Sequence, residues 1–137
     1  MANSRFNSER KVVGVKRLKI VIAEDSEVIR NVLQRILKTI DEFNVVGIAT
    51  DGAEAIQLVN ELRPDVLILD INMPRKDGIE VLKEIRAYDS STVIIMYTAE
   101  PSSCTRNFCI ENGADYFLEK AQIKELIGIC NSVQLVD

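Results

Sequence analysis

From residue 18 onward, short apolar runs alternate with stretches in which apolar residues recur at helical spacing. Runs of this length are typical of buried strands, and the longer stretches are typical of amphipathic helices. The predicted strands are Leu18 to Ala23, Asn44 to Ala49, Val66 to Asp70, Thr92 to Thr98 and Tyr116 to Leu118. A helix is predicted after each strand, which gives five strand–helix units with short connections.

The helices are predicted from their apolar faces and their end signals. The first should present one apolar stripe, made of Val28, Ile29, Val32, Leu33, Ile36, Leu37 and Ile40. Asp51 can cap the second, with Glu54 as its reciprocal partner, and Pro64 should end that helix near Arg63. The others are predicted around Ile79 to Ile85, from Pro101 to Asn112 with Gly113 as the stop, and around Ile123 to Cys130.

Strands that alternate with helices indicate an α/β fold, a doubly wound parallel sheet with helices on both faces. The unbroken apolar run Val66 to Leu69 fits a strand that is buried on both faces. In such folds the ligand lies beyond the carboxyl ends of the strands. Functional residues are therefore expected where the strands end.

The length of 137 residues suits one domain, and no apolar run reaches the roughly 20 residues that span a bilayer. No secretory signal is visible, so we expect a cytoplasmic protein without a membrane contact. Residues 1–17 carry a net charge of +4 and the remainder carries −8. We expect 1–17 to be a flexible basic arm, which could also touch an anionic surface, and 18–137 to be the folded domain. The acidic domain argues against nucleic acid as a partner.

The chain has three cysteines without C-x-x-C spacing and no histidine. These residues supply no usual zinc site, and the absence of an imidazole excludes Ser-His-Asp and Cys-His catalysis. Cys104, Cys109 and Cys130 are expected to be reduced packing residues.

Acidic residues end two of the predicted strands: Glu24 and Asp25 follow the first, and Asp70 ends the third. Parallel strands bring these ends to one edge, where three carboxylates would repel one another and favour a bound cation. Oxygen ligands at an open edge suit Mg²⁺, and Asp70 could act as a nucleophile toward phosphorus. Thr98 and Lys120 at the same edge could bind phosphate oxygens. The sequence therefore predicts phosphoryl transfer to Asp70.

Taken together, these positions resemble the motif set of a known protein family. The set consists of Glu24-Asp25, Asp70 with Asn72-Met73-Pro74 and Gly78, Thr98-Ala99, and Lys120. It resembles the receiver domain of bacterial response regulators over residues 18–135. The resemblance implies a flavodoxin-like, five-stranded sheet of strand order 2-1-3-4-5.

The resemblance also implies roles for single residues. Asp70 would receive the phosphoryl group from a histidine kinase or a histidine phosphotransfer protein. Asp25, Asp70 and the backbone carbonyl of Asn72 would bind Mg²⁺, with Glu24 acting through water. Lys120 and the backbone N–H of Ala99 would bind the phosphoryl oxygens.

Two further residues would form the switch. Thr98 would shift toward the phosphoryl group, and Phe117 would change rotamer with it; the alternative is that Phe117 is a plain core aromatic. Ala121 departs from the family, which usually has proline after the lysine. We therefore expect a trans Lys120–Ala121 peptide in a rearranged loop, with the ammonium still at the acidic cluster.

The leading interpretation is a stand-alone receiver in a two-component or phosphorelay system, a monomer or weak dimer that is a signalling switch and not an enzyme. Its output would be a change in the face formed by the fourth helix, fifth strand and fifth helix. One alternative is a pseudo-receiver that only binds partners. Another is a haloacid-type phosphatase, which needs a second Asp two residues after the nucleophile, where this chain has Asn72.

Overall fold

A computed structural model describes residues 17–136 of the chain. Its elements follow one another as strand and helix throughout. They are β1 (Leu18–Ala23), α1 (Glu27–Lys38), β2 (Phe43–Ala49), α2 (Gly52–Leu62), β3 (Val66–Leu69), α3 (Gly78–Arg86), β4 (Val93–Thr98), α4 (Ser103–Glu111), β5 (Tyr116–Glu119) and α5 (Ile123–Val136). The five predicted strands are confirmed, with ends that differ by at most one residue.

All strand pairs are parallel, and the sheet order is β2-β1-β3-β4-β5, as predicted. Alternate side chains of each central strand enter two separate cores. Leu67 and Leu69 of β3 join the core under α2, α3 and α4, whereas Val66 and Ile68 join the core under α1 and α5. This arrangement explains why β3 is apolar at every position.

The helix ends follow from local chemistry. Ser26, Asp51, Asp77 and Ser102 each cap a helix by accepting a backbone N–H three residues later. Ser102 explains why α4 begins two residues after the predicted Pro101. Gly113 has φ +106°, which fits its predicted place beyond the end of α4.

Three local expectations were wrong. Val28 and Val32 are 72% and 45% exposed, because α1 turns Ile29, Leu33 and Leu37 toward the core instead. The Glu54 carboxylate accepts the N–H of Thr50, not that of the capping Asp51.

The third concerns the cysteines. Cys104 is exposed on α4, so it is not a packing residue, whereas Cys109 and Cys130 are buried as expected. Burial raises the pKa of Cys130 to about 12.

The predicted basic arm lies outside the described residues except for Arg17. The Arg17 guanidinium donates to the carbonyls of Asp41 and Phe43 at 3.0 and 2.9 Å, which holds it against the start of β2 and the loop before it. Within residues 17–136, no helix is both long enough and apolar enough to cross a bilayer.

Candidate functional site

The β1–α1 loop places an acidic side chain inside the carboxyl edge of the sheet. Glu24 is only 2% exposed, and its Oε2 accepts the N–H of Ser26 at 3.0 Å. Ser26 in turn caps α1, so its backbone and its side chain both hold the turn that carries Glu24. Asp25, the next residue, is exposed.

Asp70 directly follows β3, and its backbone continues the direction of that strand. Its N–H donates to the carbonyl of Ala23 at 2.9 Å, which holds it beside the end of β1. The side chain is buried, and Oδ1 accepts the N–H of Asn72 at 3.3 Å. The loop then returns at Gly78, whose N–H donates to the Ile71 carbonyl at 2.7 Å. The backbone of Asp70 is therefore held beside β1, and its carboxylate is held by the loop that follows it.

Lys120 brings the positive charge to these two carboxylates. Its Nζ lies 2.9 and 3.1 Å from the two oxygens of Glu24 and 3.4 Å from Oδ1 of Asp70. The described residues contain no cis peptide bond, so the bond to Ala121 is trans. Both expectations for this loop, the trans peptide and the ammonium at the acidic cluster, are confirmed.

The charges in the site are not balanced. Burial and then the negative charge of Glu24 raise the pKa of Asp70 to about 6, although Lys120 acts in the opposite direction. Oε1 of Glu24 is buried and lies 2.9 Å from the Lys120 ammonium, which Glu24 and Asp70 share. Two carboxylates therefore face one ammonium, and the excess negative charge favours a further cation.

Thr98 ends β4 at the same edge and is buried. Its Oγ1 accepts the N–H of Glu100 at 3.2 Å, which leaves the hydroxyl proton free to be donated elsewhere. Ala99 and Glu100 are both exposed, so the turn after Thr98 opens to solvent. The roles expected for the Thr98 hydroxyl and the Ala99 N–H stay predictions.

Phe117 of β5 is 7% exposed and belongs to the core under α2, α3 and α4. It also borders a groove of about 360 Å³ between α4 and β5, together with Ser102, Arg106 and Gln122. A buried ring at the wall of a groove is compatible with a switch and with a plain core residue.

The comparison with known proteins decides the family. Residues 20–130 match the family model of the response regulator receiver domain. The chain belongs to this family. Receiver domains are phosphoacceptor switches of two-component systems; they bind Mg²⁺ in their active sites and interact with histidine kinases or phosphotransfer proteins.

Two relatives and one solved structure illustrate the match. The receiver is 39% identical over 108 residues to a protein-glutamate methylesterase/protein-glutamine glutaminase of Methanococcus maripaludis, covering 77% of this chain and 29% of that protein. It is 36% identical over 101 residues to the chemotaxis protein CheY of Halobacterium salinarum, covering 74% and 82%. The crystal structure of the response regulator domain of Thermotoga maritima CheB superposes with a TM-score of 0.79 at 32% identity, covering 89% and 99%. The chain spans 29% and 33% of the first methylesterases it matches.

The convergence of three carboxylates at the receiver site stays a prediction. Within the described residues, no three acidic, cysteine or histidine side chains form a ready-made metal cluster. Glu24 and Asp70 meet at Lys120, whereas Asp25 is exposed at the rim. The receiver still fits Mg²⁺, because this ion keeps several waters and needs only one or two carboxylates. The negative charge that Glu24 and Asp70 carry in excess of the single Lys120 ammonium supports that fit.

Sequence reasoning missed two residues that shape the receiver site. Arg30 donates to the backbone carbonyls of Glu24 and Asp25 at 3.1 and 2.9 Å, and so ties α1 to the acidic turn. A long basic side chain in the first turns of a helix could have signalled this contact. The second residue is Tyr97, whose hydroxyl donates to the carbonyl of Lys120. No local sequence pattern predicts that hydrogen bond, since the two residues are 23 positions apart.

Proposed function

We propose that this receiver accepts a phosphoryl group on Asp70 from a phosphohistidine of a kinase or phosphotransfer protein, in a reaction that requires Mg²⁺. The observation that supports the proposal most directly is the placement of the Lys120 ammonium 3.4 Å from Oδ1 of a buried Asp70. A carboxylate in a site with a fixed cation is suited to attack phosphorus.

In the proposed step an Oδ atom of Asp70 attacks phosphorus, a P–O bond forms, and the P–N bond to the donor imidazole breaks. With a pKa of about 6, Asp70 is mostly ionised at neutral pH and can act as the nucleophile. Lys120, the Thr98 hydroxyl and the Ala99 N–H would stabilise the charge on the phosphoryl oxygens.

The proposed metal ligands are the carboxylates of Asp25 and Asp70 and the backbone carbonyl of Asn72, with Glu24 acting through water. The ion, when bound, neutralises negative charge on the transferring group. Two features of the metal-free site support a bound cation: the raised pKa of Asp70, and the pairing of two carboxylates, Glu24 and Asp70, with one ammonium.

The first prediction tests the phosphoacceptor. With a small phosphodonor such as acetyl phosphate and Mg²⁺, intact mass should show one added phosphoryl group on the wild-type protein. Asp70→Asn should remain unmodified, because an amide is not a nucleophile of this kind. Glu61→Gln, an exposed position in the last turn of α2, is the control and should react like the wild type.

Chelation of Mg²⁺ by EDTA should stop the reaction. Modification of Asp70→Asn at the wild-type rate would contradict the assignment of Asp70. A wild-type protein that never becomes modified, either by a small donor or by a histidine phosphotransfer protein, would favour the alternative of a pseudo-receiver.

A further inference from the structure

Tyr97 is a buried residue with a polar contact beside the site. It precedes Thr98 on β4, is 1% exposed, and packs in the core under α1 and α5. Its hydroxyl donates to the backbone carbonyl of Lys120 at 2.6 Å. Burial and the negative charge of Glu24 raise the pKa of Tyr97 to about 12, so the hydroxyl keeps its proton at neutral pH.

The Lys120 backbone is thus fastened to β4 at both ends. Its N–H donates to the carbonyl of Thr98 at 2.9 Å, and its carbonyl accepts from Tyr97. Two bonds to consecutive residues of one strand fix the peptide planes on either side of the Lys120 Cα. The direction in which the lysine side chain leaves the backbone is then fixed as well.

The chain itself gives this loop little other restriction. Ala121 follows Lys120, and alanine limits neither its own φ nor the residue before it, as a proline would. The remaining contacts close a turn between Glu119 and Gln122, which exchange two hydrogen bonds at 2.8 and 2.9 Å. Neither of these two bonds involves the carbonyl of Lys120.

We propose that Tyr97 is a positioning residue for phosphorylation, whose hydroxyl holds the Lys120 peptide so that the ammonium stands at Asp70. This inference rests on the proposed function. The simpler view is that the hydrogen bond only satisfies a buried tyrosine hydroxyl and has no effect on the site. In that simpler case, removal of the hydroxyl would lower thermal stability without changing the chemistry.

The second prediction compares Tyr97→Phe, which keeps the ring and removes the hydroxyl, with Tyr88→Phe. Tyr88 is 56% exposed and follows α3 at the opposite edge of the sheet, so it serves as the control. At saturating Mg²⁺ and well below the melting temperature, Tyr97→Phe should lower the maximal rate of modification by acetyl phosphate about five- to tenfold, the factor of one typical hydrogen bond. The donor concentration at half-maximal rate should change little, and Tyr88→Phe should match the wild type.

A readout independent of the chemistry is amide hydrogen exchange at Lys120, measured by NMR. Exchange of this N–H should be faster in Tyr97→Phe, because the loop is held at one end only. Adding Ala121→Pro to Tyr97→Phe should restore much of the rate by restricting the same peptide locally.

Two results would overturn the positioning role: a wild-type maximal rate in Tyr97→Phe, or a lowered rate with unchanged exchange at Lys120. In both cases the wild-type protein is phosphorylated, so the proposed function stands. A wild-type protein that fails to react at all removes the proposed function and this inference together.

Discussion

At the scale of single residues, Asp70 carries a charge that the metal-free site stabilises poorly. The carboxyl is buried next to Glu24, and the single ammonium of Lys120 is shared between the two. Its pKa of about 6 lies above the ordinary value of 3.8. Ionisation of Asp70 therefore lowers the stability of the folded protein, and the same excess of negative charge suits the site for a cation.

The third prediction follows from that shift. Between about pH 4 and 6 the folded chain binds more protons than the unfolded chain, so wild-type stability falls as pH rises through this window. Without Mg²⁺, Asp70→Asn should be more stable than the wild type by roughly 2–3 kcal/mol above pH 7, with the difference vanishing toward pH 4. Urea unfolding at several pH values in EDTA would measure it.

Asp89 offers a control in which the pKa shift has the opposite sign. Burial acts to raise the pKa of Asp89, but hydrogen bonds from Thr92 and Ser91 outweigh it and lower the pKa to about 2. Asp89→Asn should therefore lose stability relative to the wild type above pH 4 and recover as pH falls toward 2. A pH-independent difference between Asp70→Asn and the wild type would contradict the charge argument.

At the scale of elements, α3 is positioned by direct backbone contact with the loop that begins at Asp70. A Cβ on Gly78 would lie 2.3 Å from the carbonyl oxygen of Asp70 and 2.7 Å from the Cα of Ile71. Asp77 and Glu80 complete a capping box around the same turn. The start of α3 thus packs against the backbone that carries Asp70, and only glycine fits between them.

The fourth prediction contrasts two glycines. Gly78→Ala should destabilise the protein by about 1–3 kcal/mol, because the clashing atoms are backbone and cannot turn aside. Gly128→Ala, within α5, meets nothing within 4 Å and should stabilise by about 0.5–1 kcal/mol through helix propensity. Chemical denaturation checks both. Equal effects of the two substitutions would show that backbone packing at Gly78 has no role.

At the scale of the whole molecule, the carboxyl side of the sheet carries the site around Asp70 and a groove beside β5, and a separate cavity lies at the opposite edge. The first region holds Asp70, and the second is the groove that Phe117 borders between α4 and β5. The cavity, of about 660 Å³, is lined by Arg63, Tyr88 and Asp89 at the amino edge. Thr98 and Phe117 lie on adjacent paired strands, which gives the two regions a short physical connection.

The fifth prediction is that phosphorylation alters the groove and leaves the amino edge unchanged. In NMR spectra of the protein kept phosphorylated by excess donor and Mg²⁺, amide shifts should change at Arg106, Phe117 and Gln122. Those of Arg63 and Tyr88 should stay in place. If the Phe117 ring and its neighbours do not respond, Phe117 is a plain core aromatic and the output lies elsewhere.

Much of this organisation was available from the sequence alone. Apolar runs and helical spacing predicted the five units, because each strand is buried and each helix has one apolar face. The residues at the strand ends were identified from the strand pattern, and the position of the Lys120 ammonium followed from them, whereas the order 2-1-3-4-5 came from the family resemblance. Capping residues such as Asp51 were predictable because a cap depends on neighbours in the chain.

Only the tertiary structure decided how the charges are shared. Glu24 and Asp70 are buried and share Lys120, whereas Asp25 is exposed, because the turn that Ser26 closes directs successive side chains differently. Similarly, the exposure of Val28 depends on which face α1 presents to the sheet. The bond from Tyr97 to the Lys120 carbonyl joins distant residues, and local pattern carries no information about such a contact.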